Sequence, residues 1–195
     1  HREDPMNDSY YQLGSWKEYA AKYNMMAPVP TPESINLDPS TSALIVVDAQ
    51  RKAWDRDSKA GWSHVFHEKA PELAEAYFNH VEQIIIPNIQ KLLSFFRQRS
   101  LHRLFFTMGP FLSNAADIPR STYGRVASNV TFGDAEYQIM EALAPESGEL
   151  VFPKNTESGF IGTGADLILR NLGVETLILV GGTSSSCVNA TGRTG

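Results

Sequence analysis

The chain has 195 residues, of which 42% are hydrophobic and 20% charged, and its formal net charge is -5. That is length and apolar content enough for one globular domain with a sizeable core, while the acidic balance gives no basic field for a phosphate backbone, so nucleic acid is not an expected partner. No apolar stretch approaches the roughly 20 residues of a membrane-spanning helix, and the polar start from His1 to Pro5 is unlike a signal peptide. The expectation is a cytoplasmic protein with no membrane partner.

Residues 1–40 read as an arm: Tyr10, Tyr11, Trp16, Tyr19 and Tyr23 are followed by Pro28, Pro30 and Pro32. So many aromatics imply packing across the domain or a neighbouring subunit, with the prolines as an extended connector. The domain proper is expected over 41–195. Ser42 to Val47 is a short, β-branched, unbroken apolar run, and it ends in Asp48. That pattern suits a parallel strand buried on both faces, with the carboxylate at its C-terminal edge. From Val81 onward Ile84, Ile85, Ile89, Leu92, Leu93 and Phe96 recur at helical spacing, with Pro87 set to kink the helix. Arg103–Met108 gives a second strand, Ala135–Leu143 a helix, and Glu149–Lys154 a third strand. A helix over Ala165–Leu172, closed by Gly173, leads to a fourth strand at Thr176–Val180. Strands alternating with helices predict an α/β fold, a three-layer α/β/α Rossmann-like open, mostly parallel sheet. No Gly-x-Gly-x-x-Gly fingerprint or phosphate-binding loop follows any strand, and no cofactor is expected.

Three residues fall where open α/β sheets collect ligands, at or just past the C-terminal ends of strands: Asp48, Lys154 and Cys187. Cys187 is the single cysteine, so it can form neither an internal disulfide nor a thiolate zinc site, which leaves packing or reactivity. Together the three make a workable chemical set: a carboxylate to take a thiol proton, a lysine to hold anionic charge and a sulfur nucleophile. Each also has a plainer reading, as a helix cap for Asp48, a solvated loop residue for Lys154 and a small buried hydrophobe for Cys187. His64 and His67 are spaced for one helical face, but with no third ligand near them they are read as a surface pair, and no metal is expected.

Three segments carry a family resemblance. Ala43-Leu44-Ile45-Val46-Val47-Asp48-Ala49-Gln50, the stretch from Lys154 to Thr163, and Gly181-Gly182-Thr183 through Cys187 to Arg193 resemble, in order, the opening strand, lysine segment and nucleophile loop of isochorismatase-like cysteine hydrolases. The resemblance implies that Asp48 is the general base towards Cys187, that the thiolate attacks the carbonyl of a small amide, ureido or carbamoyl substrate, and that Lys154 holds the charge of the pair. A thioester acyl-enzyme would follow, then water. It further implies a cis Gly182–Thr183 bond, an oxyanion held by the N–H groups of Thr183 and Cys187, and substrate contacts from Gln50, Trp54 and Phe160, with core packing the plainer reading for Trp54 and Phe160.

Departures from the family pattern narrow this reading. The stretch Thr107–Leu112 lacks the Asp-x-His pair of the metal-dependent nicotinamidases, and the presence of Cys187 favours C–N hydrolysis over vinyl ether cleavage of the isochorismatase type. A non-catalytic member with a binding or assembly role stays open as a third reading. In the family the cysteine helix is followed by a further strand and helix, whereas Gly195 stands only eight positions beyond Cys187. The expectation is therefore a C-terminally incomplete domain whose sheet lacks its last strand and helix, with a missing piece favoured over a partner subunit as what covers the exposed surface; a homo-oligomer, dimer or tetramer, is expected.

Overall fold

A computed structural model describes residues 37–119 and 130–195. A 3₁₀ turn at Pro39–Thr41 opens into β1 (Ser42–Val47), which is followed by three helices, α1 (Arg51–Trp54), α2 (Gly61–Lys69) and α3 (Pro71–His80). A π-helical turn at Val81–Ile85 joins α3 to α4 (Ile86–Gln98), and β2 (His102–Met108) returns through the sheet. Then come β3 (Leu150–Lys154), α5 (Ala165–Asn171), β4 (Thr176–Gly181) and α6 (Cys187–Thr194). The aromatic and proline residues of the expected arm lie outside the described residues. Among the described residues no helix is long and apolar enough to cross a membrane.

The four strands form one open, all-parallel sheet in the order β3-β2-β1-β4. β1 is buried along its whole length, and side-chain alternation sends its residues into two different cores. Leu44 and Val46 meet Ile86, Ile89, Leu93 and Phe96 of α4, while Ala43, Ile45 and Val47 meet Ala165, Leu169 and Cys187 of α5 and α6. Helices therefore cover both faces, as an unbroken apolar strand requires. The register is what aligns the chemistry. Val47 stands opposite Phe106 and Gly181, and Lys154 opposite Met108, so the ends of β1, β3 and β4 reach one edge of the sheet.

Two expected helices differ in the structure. The apolar periodicity from Val81 begins in a π turn, where the Ile86 N–H donates to the Val81 carbonyl five residues back, and Pro87 sits in the first turn of α4. A wider turn accommodates a residue with no N–H, whose ring would otherwise crowd the preceding carbonyls. The helix expected over Ala135–Leu143 is instead two 3₁₀ turns, Ala135–Tyr137 and Glu141–Leu143, around an extended Gln138–Met140. Tertiary hydrogen bonds won there: the Arg51 N–H donates to the Gln138 carbonyl, and the Met140 N–H donates to the Ala49 carbonyl. These pull the segment against the loop after β1, and Tyr137 and Leu143 are buried by it.

Glu149, just before β3, ties three elements together. Its carboxylate accepts from Arg97 of α4 at 3.0 and 2.8 Å, from Arg103 of β2 at 2.6 Å and from the Glu146 N–H at 2.9 Å. Burial pushes the Glu149 carboxyl up, but the donors outweigh it and hold the group at about 2, below its ordinary 4.5. Its stabilising effect is thus fully present above about pH 4.5 and lost as pH falls towards 2. Glu149→Ala strands two guanidinium groups and should cost about 2–4 kcal/mol at neutral pH, read as a lower urea midpoint, with the difference from wild type shrinking below pH 3. An unchanged midpoint at pH 7 would contradict this account.

Candidate active site

Asp48 follows β1 with a positive φ of 52°, the left-handed region that few residues other than glycine, asparagine and aspartate enter readily. Its N–H still donates to the Phe106 carbonyl at 3.0 Å, so the backbone stays tied to β2 while the carboxylate turns off the strand end. Oδ2 accepts from Lys154 Nζ at 2.7 Å. Oδ1 is buried and has no hydrogen-bond partner among the described residues. Lys154, 1% exposed, also donates to the Thr156 carbonyl at 3.1 Å. It is no solvated loop residue, and Asp48 caps no helix.

Cys187 is the first residue of α6 and is 5% exposed, its sulfur 3.6 Å from Met108 Sδ and 3.9 Å from Ser186 Oγ. Burial pushes its thiol up to about 12, the Asp48 carboxylate adds to the rise, and Lys154 opposes it. The resting side chain is therefore a neutral thiol beside a carboxylate that can receive its proton. Between β4 and α6 the Gly182–Thr183 peptide bond is cis. Gly181 has a φ of 125°, and a Cβ there would lie 2.0 Å from the Val47 carbonyl oxygen, so only glycine lets β4 end this close to β1. Among the described residues neither the Thr183 N–H nor the Cys187 N–H has a hydrogen-bond partner, which leaves two donors beside the thiol.

These groups share a cavity of about 160 Å³, into which Asp48, Thr183 and Cys187 face and whose walls include Trp54, Trp62, Phe66, Met108 and Ile118. It is smaller than the roughly 300–1,000 Å³ of drug-sized sites, and mostly apolar. Trp54 is a wall residue and also packs under Gly182. Gln50 reaches the cavity, but its amide is spent elsewhere: Nε2 donates to the Tyr137 carbonyl at 2.6 Å and Oε1 accepts from the Met108 N–H at 2.8 Å. Phe160 is a correction to the sequence reading. It does not line the cavity and packs edge-on to Phe106, ring centroids 5.6 Å apart, in the core beneath α5 and α6. Of the two large apolar side chains in the segment after Lys154, Phe160 follows the apolar face and Ile161 is exposed. His64 and His67 take separate partners, Glu68 at 3.3 Å and the Arg56 carbonyl at 2.9 Å.

Sequence reasoning missed Lys52, a buried pocket residue four positions after Asp48. The signal was available as a lysine inside the short apolar-flanked segment after the strand-end carboxylate, where a solvated side chain is the ordinary expectation. A larger hollow of about 980 Å³ lies beside Tyr137 and Met140, and it contains none of the three strand-end groups.

Residues 42–195 match the family model described as the isochorismatase domain. The chain belongs to the isochorismatase family. A ureidoacrylate amidohydrolase of Serratia proteamaculans is 28% identical over 180 residues, which cover 84% of this chain and 67% of that protein. Among solved structures, a cysteine hydrolase from Pseudomonas syringae pv. phaseolicola has a TM-score of 0.66 at 23% identity, over 87% of this chain and 71% of that one. An isochorismatase family protein from Desulfovibrio vulgaris has a TM-score of 0.60 at 26% identity, over 80% and 74% of the respective chains.

The charge arrangement in this family member has a measurable signature. With the thiol raised to about 12, alkylation of Cys187 by iodoacetamide should rise about tenfold per pH unit from pH 7 to 9.5 with no plateau, because the thiolate fraction grows in that proportion. Asp48→Asn removes a charge that raises the thiol, so at pH 8 it should alkylate faster than wild type. A plateau below pH 8, or slower labelling of the variant, would overturn this electrostatic picture.

Proposed function

We propose that this chain is an amidohydrolase that cleaves a C–N bond of a small amide, ureido or carbamoyl substrate, with Cys187 as nucleophile. The observation that carries the reading is that Asp48, paired with the buried Lys154, lines one small cavity together with the Cys187 thiol and the Thr183 backbone. A relative named as a ureidoacrylate amidohydrolase supports the same reaction class.

In this mechanism the thiol proton passes to Asp48 as Sγ bonds to the substrate carbonyl carbon, since a thiol near 12 leaves little standing thiolate at neutral pH. Lys154, 2.7 Å from Asp48 Oδ2, holds the carboxylate in place and offsets the charge that builds on sulfur. The carbonyl electrons move onto oxygen, where the N–H groups of Thr183 and Cys187 hold them. As the tetrahedral adduct collapses, the C–N bond breaks, Asp48 returns the proton to the departing nitrogen, and a thioester remains. Water then gives a proton to Asp48 and attacks the thioester carbon, the C–S bond breaks, and the proton goes back to sulfur. The cavity walls hold the small acyl group and limit competing solvent.

The test is mass spectrometry of the intact protein quenched during turnover of a panel of small amides, ureas and N-carbamoyl compounds. One substrate should leave an acyl adduct on Cys187, and Cys187→Ala should lose both the adduct and at least about 10³-fold in kcat. Asp48→Asn should lose hydrolysis to a similar degree while its thiol alkylates more readily. Amide hydrolysis that survives Cys187→Ala would overturn Cys187 as nucleophile, and cleavage of isochorismate in that variant would replace this reading with vinyl ether chemistry.

A further inference from the structure

Every other strongly buried charge in the described structure has an opposite charge in contact: Lys154 has Asp48, and Glu149 has Arg97 and Arg103. Lys52 breaks the pattern. It is 5% exposed, it lines the same cavity as Cys187, and among the described residues no carboxylate lies within ion-pair distance of it. Its ammonium donates to the Met108 carbonyl and lies 5.3 Å from the centre of the Tyr137 ring. Its other two N–H donors have no partner among the described residues.

The position is also built rather than incidental. Gly61, with a φ of 59°, lets α2 start directly on the Lys52 backbone, where a Cβ would lie 2.7 Å from the Lys52 carbonyl oxygen. Gly109 leaves room for the head group, since a Cβ there would lie 3.0 Å from Nζ and 2.7 Å from the Tyr137 ring. A long, flexible cation is thereby held at the cavity wall instead of extending to water, which is where an unpaired lysine ordinarily ends. Burial lowers its pKa to about 8, a response to desolvation that the nearby Asp48 charge only partly offsets.

The charges around the cavity favour an anion. Asp48 and Lys154 cancel, the Cys187 thiol is neutral, and Lys52 leaves the cavity with a single positive charge. One monoanion makes the occupied site neutral. We propose that Lys52 is the specificity residue of this site and binds a substrate carboxylate at the end remote from the scissile C–N bond, so that the substrates are short ureido or amido acids. This rests on the amidohydrolase reading for the scissile bond, but not for the carboxylate contact itself. Lys52 acts on binding and takes no part in the proton transfers.

Calorimetric binding to the Cys187→Ala protein tests the contact without turnover, with 3-ureidopropionate and its neutral counterpart 3-ureidopropanamide as probes. The acid should bind roughly tenfold or more tightly than the amide, as expected for a charge-assisted contact in an apolar site. In Cys187→Ala with Lys52→Met the advantage should vanish, with the amide's own affinity changed by less than about threefold. Lys52→Arg should keep a preference for the acid and serves if the Met variant fails to fold. In the wild-type enzyme the preference should appear chiefly in KM. Equal binding of acid and amide, no binding of either, or an acid preference that persists without Lys52 would overturn the proposal. Acid-selective binding without hydrolysis by the wild type would instead sink the amidohydrolase reading and leave the Lys52 contact standing.

Discussion

The buried ion pair between Asp48 and Lys154 is the constraint around which the sheet edge is organised. These residues follow or end β1 and β3, which are not neighbours, so the pair reaches across the end of β2. A buried pair of this kind is weak evidence for stability, because desolvation of both ions offsets much of their attraction. Its evident use is electrostatic. It fixes a carboxylate at the edge of an apolar pocket, 2.7 Å from the Lys154 ammonium, with the second oxygen unpartnered among the described residues and the Cys187 thiol lining the same cavity. Removal of either partner would leave the other as an isolated buried charge, which costs far more than the pair gains.

Around that pair the protein tolerates a second cost. Lowering Lys52 from the ordinary 10.5 to about 8 corresponds to about 3 kcal/mol of unfavourable burial while the side chain is charged at neutral pH. Against the roughly 5–15 kcal/mol that holds a typical domain together, this is a large sum to leave uncompensated. The two cores supply the surplus: β1 gives Leu44 and Val46 to one and Ala43, Ile45 and Val47 to the other, and α4 alone contributes Ile86, Ile89, Leu93 and Phe96 to the first. The apolar alternation of β1 is therefore linked to the polar chemistry at its end, since it stabilises the scaffold in which unfavourable charges are held.

The sheet was legible in the chain because its strands are unbroken β-branched or aromatic runs, and a parallel sheet buried on both faces leaves that signature. Asp48, Lys154 and Cys187 were legible because each comes at such a run's end, where register alone brings distant positions together. What was hidden depends on tertiary competition. The Ala135–Leu143 segment has helix-forming composition, yet hydrogen bonds to Ala49 and Arg51 make its centre extended. The helices between Gly61 and His80 mix polar and apolar residues without a clean stripe. Lys52 went unseen since a lysine's burial depends on Gly61, Gly109 and Tyr137, which are 9 to 85 positions away in the sequence. Phe160 was a pocket contact only by resemblance, with core packing the plainer reading, and its side chain packs against the core with Phe106.

The left-handed backbone at Asp48 has a consequence for how this site can change over generations. At a φ of 52° the position accepts aspartate, asparagine or glycine without much strain and resists alanine and the branched residues. The charge requirement and the backbone requirement thus select overlapping but unequal sets. Asparagine or glycine at this position would leave the turn unstrained, but either one strands the buried Lys154 charge, so such a drift needs a matching change at Lys154. The reverse step, from either one to aspartate, needs only a single residue change and no rebuilding of the turn, so the strand end retains the capacity to regain its carboxylate after losing it.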